Sequence, residues 1–87
     1  MVNSVIMHEI DSVATVTKNV SAGEAITYIL NSEPVTIKSS ADIPIYHKVA
    51  VKSVKKGEAI FKYGEIIGYA TAGIQIGDHV HTHNLSN

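Results

Sequence analysis

A seven-residue unit occurs three times in this chain. Val20-Ser21-Ala22-Gly23-Glu24-Ala25-Ile26 is echoed by Val54-Lys55-Lys56-Gly57-Glu58-Ala59-Ile60, and again by Ile74-Gln75-Ile76-Gly77-Asp78-His79-Val80. Each copy has an aliphatic residue, two spacers, a glycine, an acid, and a second aliphatic residue two positions on. Glycine followed by an acid suits a sharp turn that needs positive φ. The aliphatic residues on either side can then anchor that turn in a core. The copies are unequally spaced, so they are not the repeats of a solenoid. They describe one turn-and-strand device reused inside a compact fold, and in the plainest reading all three glycines are structural.

The segments between the turns read as strands. Val13-Ala14-Thr15-Val16-Thr17, Ala25 to Leu30 and Val35 to Lys38 are short, rich in β-branched residues and bounded by turn formers. Asn31-Ser32-Glu33-Pro34 reads as the loop of a hairpin. From Lys48 to Val54 the residues alternate, with His47, Val49, Val51 and Ser53 on one face and Lys48, Ala50, Lys52 and Val54 on the other. Gly64 and Gly68 interrupt the apolar run after Ile60, at about 1 kcal/mol each for a helix. One short helix near Asp42 is compatible with the sequence, but nothing demands it. The expectation is an all-β chain forming a single domain over residues 1–87.

Apolar residues make up 45% of the chain and charged residues 17%, a globular rather than disordered profile. A chain this short buries roughly 60–65% of its unfolded surface, enough for a modest core but not for a deep substrate cavity. With seven lysines, no arginine and a net charge of −1, it offers no basic field for nucleic acid. The absence of cysteine removes disulfides, thiolate zinc sites and cysteine nucleophiles. No apolar run approaches the roughly 18 residues of a transmembrane helix. Met1-Val2-Asn3-Ser4 lacks the basic start of a signal peptide, so a cytoplasmic protein with no membrane partner is expected.

Chemistry is concentrated in histidine. Three of the five histidines fall in His79-Val80-His81-Thr82-His83. On a strand, period 2 puts all three imidazoles on one face, roughly 6.5–7 Å apart. Neighbouring rings at that spacing can converge on one divalent ion at metal–nitrogen distances of about 2.0–2.1 Å, with further ligands from elsewhere. They can equally form a row of donors and acceptors for hydroxyls and carboxylates, or a solvated edge. His47-Lys48 is the second candidate, a carboxylate clamp or a desolvated base, although alternation turns the two side chains opposite ways. His8 has no comparable context and reads as structural or surface. No dinucleotide fingerprint, phosphate loop, nucleophile elbow or acid cluster is present.

Four segments occur together and in order: His47-Lys48-Val49-Ala50, Lys62-Tyr63-Gly64, Ile67-Gly68-Tyr69-Ala70 and Gly77-Asp78-His79-Val80-His81-Thr82-His83-Asn84-Leu85. In this the chain resembles the amino-terminal SAF-type domain of the altronate and galactarate dehydratase family, which has a β-clip fold. The alpha subunit of sulfolactate sulfo-lyase is a related small chain. The resemblance implies His47, Lys48, His81, His83 and Asn84 as catalytic residues, with His81 and His83 as metal ligands. His79 lies outside the shared segment, and Tyr46 stands where the family usually has glycine. The implied function is the small subunit of a metal-dependent lyase that dehydrates sugar acids. Its divalent metal, iron among the candidates, would be held mainly with a large catalytic subunit that completes the site. A sulfolactate sulfo-lyase alpha subunit and a non-catalytic SAF binding module are the alternatives, and a homo-oligomer is left open.

Overall fold

The computed structural model describes residues 1–87 and contains nine short strands and no helix. They are β1 (Ser4–Val5), β2 (Val13–Val16), β3 (Ala25–Leu30), β4 (Glu33–Lys38), β5 (Lys48–Ala50), β6 (Ala59–Lys62), β7 (Glu65–Ala70), β8 (His79–Val80) and β9 (Leu85–Ser86). The all-β expectation holds. A four-stranded sheet in the order β1-β2-β5-β8 forms a central wall, all pairs antiparallel. The β3-β4 hairpin and the β6-β7-β9 sheet complete the molecule.

Both faces of the wall are buried, because β2 and β5 send alternate side chains to two different cores. Ala14, Val16, Val49 and Val51 pack with Val20, Ile26, Tyr28 and Ile43 on one side. Val13 and Ala50 pack with Val54, Ile60, Ala70, Ile74 and Val80 on the other. This explains why the run from Val49 to Val51 is buried throughout although its residues alternate between the two faces. The regular strand also ends at Ala50 instead of Val54, since Val51 donates its N–H to Ser12 across a bend.

The three glycine-acid units all form the same turn. The glycines have φ of 88°, 89° and 97°, and the acids accept from a backbone N–H three residues upstream. Glu24 takes Ser21 N at 3.0 Å, Glu58 takes Lys55 N at 2.7 Å, and Asp78 takes Gln75 N at 2.8 Å. Gly77 is also sterically required, since a Cβ there would lie 2.2 Å from the Lys38 carbonyl oxygen. The structure contains a fourth copy, Ile43-Pro44-Ile45-Tyr46-His47-Lys48-Val49. In it Tyr46 takes the glycine position at φ 68°, and His47 takes the acid position. His47 N donates to Pro44 O at 3.0 Å, as Glu24 N does to Ser21 O. The four turns pair two by two through antiparallel bridges, Val20 with Ile43 and Val54 with Ile74. Each pair encloses one hairpin and one core, so the molecule is built from two similar halves.

Other details differ from the sequence expectation. The β3-β4 loop is only Asn31-Ser32, with φ of 52° and 66°, and Glu33 and Pro34 already belong to β4. A two-residue turn with both φ positive matches the twist of the strands it joins. No helix forms near Asp42; its carboxylate accepts the Ala22 N–H at 2.9 Å and ties two turns together. Asp11, 1% exposed, was not singled out from sequence. Its two oxygens accept from Tyr63 N and Gly64 N at 3.0 and 2.8 Å, fixing the β6-β7 turn.

Candidate functional site

The fourth turn and the third turn bring their histidines together. His47 follows Tyr46 at the start of β5, and His79 opens β8, where the register sets it opposite Val49. His47 and His79 therefore share one face, and His47 Nδ1 lies 3.0 Å from His79 Nε2. The row expected on a single strand does not form as such. β8 ends at Val80, and Asn84 N and Leu85 N both donate to His81 O, which closes a turn. The turn nevertheless keeps the rings together. The His81 ring stacks on His47 at 4.6 Å and on His79 at 5.6 Å, and His83 lies 5.4 Å from His79.

Four imidazoles thus form one cluster, with His79 touching the other three. One ring nitrogen each from His47, His79 and His81 lie within 4.8 Å of one another. Two nitrogens on one tetrahedral ion stand about 3.3 Å apart, given metal–nitrogen bonds of 2.0–2.1 Å. The three imidazoles are a donor set of the right type for a divalent cation, and holding one would require the widest pair to close toward that spacing; His83 stands outside the triple. His79, set aside on motif grounds, occupies the centre. Its pKa is lowered by burial, then by the neighbouring His47, His83 and His81 and by Lys48. A neutral imidazole is the form that ligates metal or takes a proton.

Lys48 points away from the cluster. It pairs with Thr15 and Val80, on the face of β5 that carries Ala50. Burial lowers its pKa, and Lys62 adds to the shift. Asn84 is buried, and its amide is committed to backbone: Oδ1 accepts from His81 N at 3.0 Å and Nδ2 donates to His79 O at 2.9 Å. His8 sits outside the site, its ring against Gly64 and its Nδ1 accepting from Ile10 N.

An open cleft of about 460 Å³ runs along the cluster, lined by His79, His83 and Asn84 on one side and by Ser40, Ala41, Ala72, Gly73 and Asp78 around the rest. Ser40 donates its hydroxyl to Asp78 at 2.6 Å, and its N–H to Gly77 O at 3.0 Å. Asp78 carried a signal as the acid of the third unit, whereas Ser40 carried none. The place of His47 was legible in principle: relaxing the glycine requirement exposes the fourth unit from Ile43 to Val49.

The chain matches the altronate/galactarate dehydratase SAF domain over residues 2–87. It is 37% identical to the altronate dehydratase of Bacillus subtilis (strain 168) over 78 residues, which is 90% of this chain but 15% of that enzyme. With the (2R)-sulfolactate sulfo-lyase subunit alpha of Paracoccus pantotrophus it shares 50% identity over 48 residues, covering 55% of this chain and 72% of that subunit. The corresponding subunit of Chromohalobacter salexigens is 31% identical over 84 residues, covering 92% of this chain and 89% of the subunit. The chain thus spans 15% of the length of the altronate dehydratases it matches, and most of one sulfo-lyase subunit. No helix is long and apolar enough to cross a membrane. The match over nearly every residue, on an all-β fold, places this chain in the altronate/galactarate dehydratase SAF domain family.

Proposed function

We propose that this chain is the small, SAF-bearing part of a lyase that eliminates water from a sugar acid of the altronate or galactarate type, its site completed by a larger subunit. The observation that carries this reading is the imidazole cluster, with ring nitrogens of His47, His79 and His81 within 4.8 Å of one another and His79 and His83 lining an open cleft. Dehydration of such an acid removes the proton α to the carboxylate and the hydroxyl on the next carbon. The resulting enol tautomerises to a 3-deoxy-2-oxo acid, with one water lost overall. The charge that develops on the carboxylate side is the main obstacle. His47, His79 and His81 would hold a divalent ion, iron among the candidates, and when bound it would supply Lewis-acid stabilisation of that charge. His83, exposed beside the cleft, is the group placed to hand a proton to the departing hydroxyl. Lys48 adds positive charge from the other face of β5, and its lowered pKa brings it closer to proton exchange.

A shallow open cleft leaves the substrate exposed to water, so the isolated chain is expected to show no useful turnover. Co-purified with the large dehydratase chain from the same cell, it should support formation of the 2-oxo acid. His81→Ala and His83→Ala should each lower that turnover about 10²-fold. Robust activity from the chain alone, or full activity of both variants in the assembly, would overturn the assignment. One observation favours a second reading: the chain spans 89% of a sulfo-lyase alpha subunit. In that case the same assay yields sulfite from sulfolactate and no 2-oxo acid from sugar acids. A non-catalytic module yields neither.

A further inference from the structure

We infer that Asn84 is a positioning residue that holds the imidazole cluster in register and does not itself touch substrate. The inference rests on the imidazole cluster being the site, and it departs from a direct catalytic role for this side chain. Asn84 is 8% exposed, and one amide spans two backbone groups on either side of Val80. Its Oδ1 accepts from His81 N, its Nδ2 donates to His79 O, and its own carbonyl accepts from Thr71 N at 3.0 Å. The backbone at the roots of two clustered rings is thereby tied to a third point at the end of β7.

The partners also dictate the residue type. One partner is a donor and the other an acceptor, so the side chain must present both functions at opposite corners of a short planar group. Aspartate offers two acceptors and would set an oxygen against the His79 carbonyl. Serine is too short to bridge both groups, and glutamine carries an extra methylene into a buried space. Because His79 meets the other three rings, a shift of its backbone propagates to every pair in the cluster.

The test uses the 87-residue chain, with Asn84→Ala, Asn84→Asp and, as a control far from the site, Asp11→Ala. Asp11→Ala removes two buried backbone hydrogen bonds and should lower the melting temperature without touching the cluster. Nitrogen NMR of the imidazoles at about pH 8, above the ordinary histidine pKa, reads whether each ring holds one tautomer. In the parent chain and in Asp11→Ala, the asymmetric surroundings of the His47–His79 hydrogen bond should hold the two rings in one complementary pair of tautomers, the shared proton on one of the two facing nitrogens. In both Asn84 variants the two tautomers should average, while the remaining amide spectrum stays that of the folded chain. Cobalt(II) titration gives the second readout: affinity should fall about 10–100-fold in the Asn84 variants and stay unchanged in Asp11→Ala. Asn84→Asp keeps the acceptor for His81 N and nearly the same volume, so it preserves the comparison if the alanine variant unfolds.

Fixed tautomers in both Asn84 variants would overturn the inference. So would equal losses in Asp11→Ala, which would reduce Asn84 to a stabilising residue like any other. If the parent chain binds no cobalt, the metal reading fails separately, and the tautomer signals still decide the role of Asn84.

Discussion

Tyr46 holds φ 68° with its side chain 71% exposed, at the position where the three sister turns have glycine. A left-handed backbone costs an ordinary residue about 1–2 kcal/mol, and an exposed ring recovers little of this by burial. Glycine removes the strain but adds freedom to the unfolded chain, worth about 0.4–1 kcal/mol in the other direction. Tyr46→Gly is therefore expected to stabilise the protein by roughly 0.5–1 kcal/mol, a rise of several degrees in melting temperature for a domain this size. A calorimetric scan checks the sign, and a fall would mean that the tyrosine ring makes a contact worth more than its strain. The same residue hides the fourth turn in the sequence pattern. Its backbone geometry is that of the other three, but its side-chain chemistry is not.

At the scale of elements, the repeated turn is the best place to ask what each glycine contributes. Gly57 and Gly77 share nearly the same φ, yet a Cβ at Gly57 meets nothing within 4 Å and one at Gly77 meets the Lys38 carbonyl oxygen. Gly57→Ala should cost about 1–2 kcal/mol, from backbone conformation alone. Gly77→Ala should cost at least about 3 kcal/mol, because the strand end and the Lys38–Ser40 segment must also separate. Denaturant midpoints of the two variants test this, and equal losses would show that the close approach is easily relieved. Turns of this kind were legible in the sequence because they need particular residues at particular offsets. The strands Ala25–Leu30 and Val13–Val16 were legible for the same reason, their β-branched runs being bounded by turn formers. The bend after Ala50 was not, because it depends on Ser12 lying across the sheet, a contact far away in the chain. The site divides in the same way. The histidine window announced itself, but the partnership of His47 with His79 is a product of β5-β8 register. The turn at His81, which folds the row back on itself, follows from how Asn84 bonds.

Across the whole molecule, the central wall belongs to both cores at once. β2 and β5 supply Ala14 and Val49 to one core and Val13 and Ala50 to the other, so neither half keeps its packing if the other opens. Native-state hydrogen exchange should show this: the Ala50 and Val16 amides, bonded to Asp78 O and His47 O, should exchange only through global unfolding. The Asn84 amide, in the terminal turn, should exchange through a cheaper local opening. Markedly lower protection at Ala50 than at core amides of either hairpin would show the wall to be loose. The sharing has a further consequence for how the protein fails. His47 and His79 are contributed by the two halves and meet side by side on one face of the wall, so their pairing should be lost together with cooperative melting instead of before it, leaving no appreciable population of folded molecules with the pair broken.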